Sequence, residues 1–179
     1  MIINNKKNKS GFTLIELMVV ISIVSILSAV ILVSLNKVRD KGENTEMVRQ
    51  VREYANAIQL SYVPNGNAFP GSYGHNGGSQ GCLVVTVGSG NCNWASGSLK
   101  VAYPSADRAK ISSYISLKPI TPPITSSNGL VYDSVRYSSD GQEFRLYYPM
   151  KNTTDCGLQD AAQFGSLDGD VTICRYVSR

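Results

Sequence analysis

Nineteen consecutive residues, 17–35, carry no charge, no glycine and no proline. As a helix they extend about 28 Å at 1.5 Å per residue, close to the roughly 30 Å hydrocarbon core of a bilayer. A helix that is apolar on every face needs a large protein or a membrane around it, and a chain of 179 residues has little to cover it with. A cleavable secretory signal fits less well. Its apolar core runs about 7–15 residues and ends in a small-x-small site. Here the run is longer, the best cut, after Ala29, places Leu27 three residues before the scissile bond, and Glu16 stands beside the run.

Charge narrows the function classes. The formal charge is +4, but Lys6, Lys7 and Lys9 supply three of those charges, and beyond residue 11 there are 14 basic residues against 13 acidic ones. A near-neutral body lacks the electrostatic footprint of a nucleic-acid binder. One histidine, His75, leaves little room for histidine-based metal or acid–base chemistry. The cations around the span do not orient it, because Lys37, Arg39 and Lys41 after it balance the three lysines before it.

Glu16 is the residue out of place. A carboxylate in an apolar span costs up to about 2.5–3.5 kcal/mol on insertion scales, and such a residue calls for a partner. The competing reading is that Glu16 snorkels to the headgroups or sits there protonated.

The segment Lys9-Ser10-Gly11-Phe12-Thr13-Leu14-Ile15-Glu16-Leu17-Met18 resembles the processing site of type IV pilins and of the pseudopilins of type II secretion. The family pattern is a short basic leader ending in Gly, then Phe, then Thr-Leu-Ile-Glu and about twenty apolar residues. The resemblance implies that a prepilin peptidase cuts between Gly11 and Phe12 on the cytoplasmic side and that the new amine of Phe12 is N-methylated. It also supplies a partner for Glu16. The α-amino group has a pKa near about 7.7–8.0 and is mostly cationic at neutral pH. Glu16 lies four residues on, about one helical turn away and on nearly the same face. In the family's filaments the Glu at this position neutralises the amine of a neighbouring subunit, so an assembly salt bridge between Glu16 and the next copy's Phe12 is expected. A buried charge is tolerated when paired and costly alone. One departure is that many type IVa pilins carry Gly and Pro within the span, while residues 22–33 have neither. This leaves pilin and pseudopilin open. Ser22, Ser25, Ser28 and Ala29 form a small-residue strip suited to close helix packing, with hydroxyls bonded to their own backbone as the alternative.

After residue 36 the chain turns polar but keeps helical order. Val38, Met47, Val51, Tyr54, Ala55, Ile58 and Tyr62 recur at three- and four-residue spacing, and Arg39, Glu46, Arg49, Gln50, Arg52 and Glu53 mark the other face. Gly42 interrupts and weakens the pattern, and Pro64-Asn65-Gly66 ends it. The spacing predicts one helix over 12–63, membrane-like in its first half and amphipathic in its second. Residues 65–98 are rich in Gly, Ser and Asn around an apolar run at 83–87, read as loop, strand, loop. A further strand is expected at 99–103 and a short helix over 105–117 with Ser105 as its N-cap. Strands at 130–138 and 142–148 alternate about Ser139-Asp140-Gly141, a hairpin signal, and 171–177 closes the chain as a strand. Asn67-Ala68-Phe69-Pro70 and the 137–146 hairpin also resemble the family's head.

Four cysteines, Cys82, Cys92, Cys156 and Cys174, permit three pairings. The two local loops, Cys82–Cys92 and Cys156–Cys174, are favoured, the second closing a region where many pilins carry a disulfide. Oxidised pairs place the far side of the span outside the cytoplasm; buried thiols are the competing reading. Asp160, Asp168 and Asp170 are candidates for a calcium site of the kind some major pseudopilins hold. The full EF-hand pattern is absent, and solvated turn residues are preferred. Gly77-Gly78-Ser79-Gln80-Gly81 matches G-x-S-x-G near His75, but it sits in a Gly/Ser loop, not at a strand–turn–helix junction, and is read as chance. Asn152-Thr153-Thr154 is a formal glycosylation sequon. The ten tyrosines would suit a sticky surface, but half are in expected strands, where core packing explains them.

The expectation is an α+β chain: a long N-terminal spine helix, half transmembrane, and a small antiparallel β-sheet head of type IV pilin-like design. Its expected parts are a leader at 1–11, a membrane and assembly segment at 12–35, an amphipathic helix at 36–64 and a head at 65–179. The resemblance implies a structural subunit, not an enzyme, with no cofactor. It is single-pass in the cytoplasmic membrane with its head outside, then part of an extracellular or periplasmic filament. Its partners are other copies or related pilins, the prepilin peptidase and methyltransferase, the assembly platform and membrane lipid, with no nucleic acid indicated. The alternative is a minor pilin or pseudopilin acting at the membrane or filament tip in priming, DNA binding or substrate binding.

Overall fold

The computed structural model describes residues 12–62, 66–70, 81–83, 92–93, 98–99, 105–120, 123–166 and 169–178. The chain divides into two compact units, Met1–Arg39 and Asp40–Arg179. The architecture is α+β: one long N-terminal helix, α1 (Leu14–Leu60), followed by an antiparallel five-stranded sheet.

In the first unit α1 is long and apolar enough to cross a membrane. Its described side chains are exposed on all faces, from Leu14 and Ile15 to Leu35 and Val38. Val38 was expected on the buried stripe, yet it stays exposed because the head unit begins at Asp40. Three hydroxyls point back along the helix: Ser22 donates to Met18 O (2.8 Å), Ser25 to Ile21 O (2.7 Å) and Ser28 to Val24 O (2.8 Å). The serine strip thus takes the self-satisfied reading, which hides each polar hydrogen from an apolar solvent. Gly42 leaves α1 unbroken.

Within the head unit the three- and four-residue spacing does what an amphipathic stripe must. Met47, Val51, Tyr54, Ala55 and Ile58 are all buried. They share a core with one face of the central strand, β7 (Phe144–Lys151), whose alternate residues Phe144, Leu146, Tyr148 and Met150 are also buried. The sheet order is β1 (Gly81–Cys82), β6 (Arg136–Ser139), β7, β9 (Val171–Val177) and β8 (Ala161–Ser166), every neighbouring pair antiparallel. Two small ladders accompany it: β2 (Cys92–Asn93) with β3 (Ser98–Leu99), and β4 (Ile124–Thr125) with β5 (Val131–Tyr132). Pro149 is tolerated in β7 because it falls beyond the last β6 partner, Arg136↔Tyr147.

Several boundaries differ from expectation, each for a local reason. α1 ends at Leu60 rather than reaching 63 or 64. Its last turn tightens, with Tyr62 N–H donating to Gln59 O (3.2 Å) and the Ser61 hydroxyl to Ile58 O (2.6 Å). The second helix, α2 (Ser105–Ser112), stops short of 117, where the Ser112 and Ser113 hydroxyls donate to Ala109 O and Lys110 O. The side chain of Ser105, the expected N-cap, lies outside the described ones. The expected strand 130–138 is two strands in different sheets. Its break at Asp133–Val135 spends its carbonyls elsewhere: Ile120 N–H donates to Asp133 O and Leu83 N–H to Val135 O. Residues 84–87 and 100–103 of two expected strands lie outside the described residues.

Several buried backbone groups are met by side chains that imitate backbone. Asn44 on α1 donates to Lys151 O (2.7 Å) and accepts from Lys151 N–H (2.8 Å), the pattern of a β-rung supplied by an amide side chain. Tyr54 Oη donates to Lys118 O and accepts from Lys118 N–H. Tyr137 and Tyr148 donate to Pro70 O and Cys156 O, each at 2.7 Å. Tyrosine here fills the core and also caps stray carbonyls.

Among the described glycines the backbone comes closest to a neighbour at Gly157, whose φ is +68° and whose missing Cβ would lie 2.6 Å from Val48 Cγ2 on α1. Gly157→Ala is expected to cost roughly 1–3 kcal/mol in denaturant unfolding. Adding Val48→Ala should recover only the steric part and leave the strained φ. A second expectation concerns pH. On α1 the Arg49 guanidinium donates to Glu46 (2.6 Å) and also engages Glu53. That hydrogen bond, with a smaller one from Gln50, pulls the Glu46 carboxyl from 4.5 down to about 2. A folded value below the unfolded one adds stability above the unfolded pKa and loses it as pH falls through the folded one. The urea midpoints of wild type and Glu46→Gln should therefore differ modestly above about pH 4.5 and converge near about pH 2, the gap small because the pair faces water.

Candidate functional site at the start of the long helix

Helix α1 opens with Phe12 and Thr13 preceding its first assigned residue, Leu14. The first four N–H groups of any helix lack intrahelical acceptors. Here Thr13 and Glu16 supply two of them reciprocally. The Glu16 N–H donates to Thr13 Oγ1 (3.3 Å), while Glu16 Oε2 accepts both the Thr13 N–H (2.8 Å) and the Thr13 hydroxyl (2.8 Å). This is a capping box, with Thr13 as N-cap and Glu16 three residues on. The negative side chain also sits at the positive end of the helix dipole. Sequence reasoning singled out Glu16 but looked for its partner only in another chain. The signal for the local partner was present as Thr13-x-x-Glu16, a T-x-x-E pattern before an apolar run.

The geometry bears directly on a cut before Phe12. Gly11 lies outside the described residues. Phe12 is 91% exposed. An amine created at Phe12 adds a cation one residue before the cap and leaves the Thr13 N–H in place. Such a cation at the positive end of a helix is unfavourable unless an anion answers it, and Glu16 is the anion already held there.

The other expected site residues fall as follows. Cys156 and Cys174 form a disulfide across a separation of 18 residues, a cross-link of a size that typically adds about 2–4 kcal/mol. Cys82 is disulfide-bonded; the side chain of Cys92 lies outside the described ones. The two described aspartates, Asp160 and Asp170, do not gather. Asp160 precedes β8, beside the Ala161↔Tyr176 pair, and Asp170 precedes β9, beside Ser166↔Thr172, so they stand at opposite ends of that ladder. At about 3.4 Å per residue this is some 20 Å apart. Both carboxylate oxygens of Asp170 are engaged by Ser127, through its N–H (2.7 Å) and its hydroxyl (3.1 Å). Asp168 lies outside the described residues, and among those described no cluster of three metal-ligating side chains occurs. Asn152 of the sequon donates to Asp40 (2.6 Å). His75 and residues 77–80 are outside the described set.

If the capping box sets the helix start, Thr13→Val, which keeps the β-branch and removes the hydroxyl, should cost about 1 kcal/mol locally. Amide exchange at Leu14–Glu16 in micelles should then speed up about fivefold, with protection beyond Met18 unchanged.

Residues 6–32 match the family model described as the prokaryotic N-terminal methylation motif. Neither the search of curated proteins nor that of solved structures returned a match. With its capped, acidic helix start and all-round apolar span, the chain carries at residues 6–32 the signature of the type IV pilins and pseudopilins.

Proposed function

We propose that this chain is the precursor of a structural, non-enzymatic subunit that polymerises into a type IV pilus or pseudopilus filament. The observation that carries this reading is the methylation motif at residues 6–32, with Glu16 as the acidic residue of an otherwise uncharged helix start. The apolar first part of α1 anchors the precursor in the cytoplasmic membrane, and the disulfide-bonded head lies on the outer side, where cysteines stay oxidised. A prepilin peptidase removes residues 1–11 and the Phe12 amine is methylated. In the filament the apolar faces of α1 leave lipid for the same faces of neighbouring copies, and Glu16 meets the Phe12 amine of the next subunit. Its processing enzyme and assembly platform are partners of the same reading.

The capping box makes a sharper test than simple truncation. Glu16→Ala removes both the charge and the cap. Glu16→Gln removes the charge alone, since Gln serves the same position in a capping box. The expected outcome is that both variants are cut and membrane-inserted but neither enters sheared filaments. Intact mass of the wild-type product should show loss of residues 1–11 and gain of one methyl group. Filaments of normal abundance from Glu16→Gln would mean that the carboxylate acts through the cap and not as a counter-ion.

A further inference from the structure

An open cleft of about 310 Å³ lies where the last turn of α1 meets the β6–β7 turn, lined by Gln59, Tyr62, Phe69, Gln142 and Ser178. Its floor is aromatic and firmly held. The Tyr62 and Phe69 rings stand 4.7 Å apart, and Phe69 packs edge-on against Phe144 at 4.8 Å, which is itself fully buried and 6.0 Å from Tyr176. Backbone fixes the same corner, with Phe69 N–H donating to Gly141 O (2.9 Å). Tyr62 and Phe69 remain half-buried, so part of each ring meets solvent. The rim is polar. Gln59 and Gln142 are exposed amides, each offering donors and an acceptor. Ser178 is buried, its hydroxyl oxygen accepting from Phe144 N–H (2.8 Å), which leaves its own hydrogen to donate.

None of the five described lining residues is charged. Among these described residues an anion meets no cation and a cation no carboxylate. A purely apolar guest would strip water from two amides without replacing their hydrogen bonds, which is unfavourable. The ligand that matches is a ring with an apolar face and a hydroxyl-bearing edge. We propose that this cleft binds a neutral pyranose sugar, its C–H face on Tyr62 and its hydroxyls on Gln59, Gln142 and Ser178. This assignment stands on the cleft alone and is independent of polymerisation.

The test uses the full chain in zwitterionic phosphocholine micelles, whose headgroups carry no sugar. Methyl β-glucoside, methyl β-galactoside and glucuronate are titrated separately and followed by saturation-transfer NMR and by the side-chain amide signals of Gln59 and Gln142. The expected result is millimolar binding of at least one neutral glycoside, with upfield-shifted sugar ring protons and weaker binding of glucuronate. The Gln59→Ala, Gln142→Ala double variant, altered only at exposed positions, should weaken that binding about tenfold, as loss of two neutral hydrogen bonds implies. Tyr62→Leu should abolish the upfield shift. Absence of transfer from both neutral glycosides, or transfer undiminished in the double variant, would overturn the proposal.

Discussion

A carboxylate next to nineteen uncharged residues must find hydrogen-bond donors wherever it resides, and everything at this end of the molecule follows from how that need is met. Within one chain the donors are the Thr13 amide and hydroxyl, both 2.8 Å from Glu16. That arrangement satisfies two orphan groups of the helix start and leaves the negative charge uncancelled. Lipid is a poor home for an uncancelled charge even when its oxygens are hydrogen-bonded, because the Coulomb term is not repaid by neutral donors. The cap therefore keeps the acid in place and presented, while its remaining deficit is electrostatic and is one that a nearby cation removes. A chain cut before Phe12 provides that cation on every copy. In the filament reading, local hydrogen bonds hold the carboxylate ready and assembly discharges it.

The head meets a different solvent with the same helix. From Asp40 onward α1 has one wet face and one buried face, and the buried face works only because the sheet supplies matching apolar alternation along β7. Dispersion and area burial are not directional, and polar anchors add fixed points between the helix and the rest of the head unit. Asn44 pairs with both backbone groups of Lys151, and Tyr54 with both of Lys118. Each is a two-point contact at a fixed position along α1. The bare backbone of Gly157 then lets the disulfide loop approach Val48 to a distance that any side chain would forbid.

The long helix, its apolar run, the buried stripe Met47–Val51–Tyr54–Ile58, the turn at Asp140-Gly141 and the last strand were legible because each rests on local periodicity or turn chemistry. The turn is a good case: Asp140 accepts from the N–H groups of Gln142 and Glu143, and Gly141 adopts φ +91°. The β8 strand was not legible. Residues 161–166, Ala-Ala-Gln-Phe-Gly-Ser, have neither alternation nor strong β propensity, and β9 imposes the strand by pairing with it, bulge included. The division of 130–138 was hidden for a related reason, since two distant segments each claim a carbonyl at the break. At the candidate site the acid was legible from its cost, whereas its intramolecular partner was masked by attention to charge. Asp160 and Asp170 looked like partners in one site only because sequence distance hides that a hairpin sends its two ends apart.

The absence of Gly and Pro from residues 22–33 has a mechanical consequence. Every backbone bond of that stretch is retained, and the three serine hydroxyls share carbonyls with the ladder without opening it. To loosen such a helix in lipid would expose amides with nothing to receive them, at several kcal/mol for each. Gly42 is the only glycine in α1, and it lies where the chain has already turned polar. An added Cβ there would touch nothing within 4 Å, so packing does not require the glycine. A glycine with no packing role still weakens a helix by roughly 0.8–1.0 kcal/mol relative to Ala. For an α1 whose apolar run lies in lipid, the least costly place to bend is therefore beyond that run, just inside the unit that begins at Asp40. In the filament reading, any adjustment of α1 during packing is confined to the segment where released amides can be hydrated.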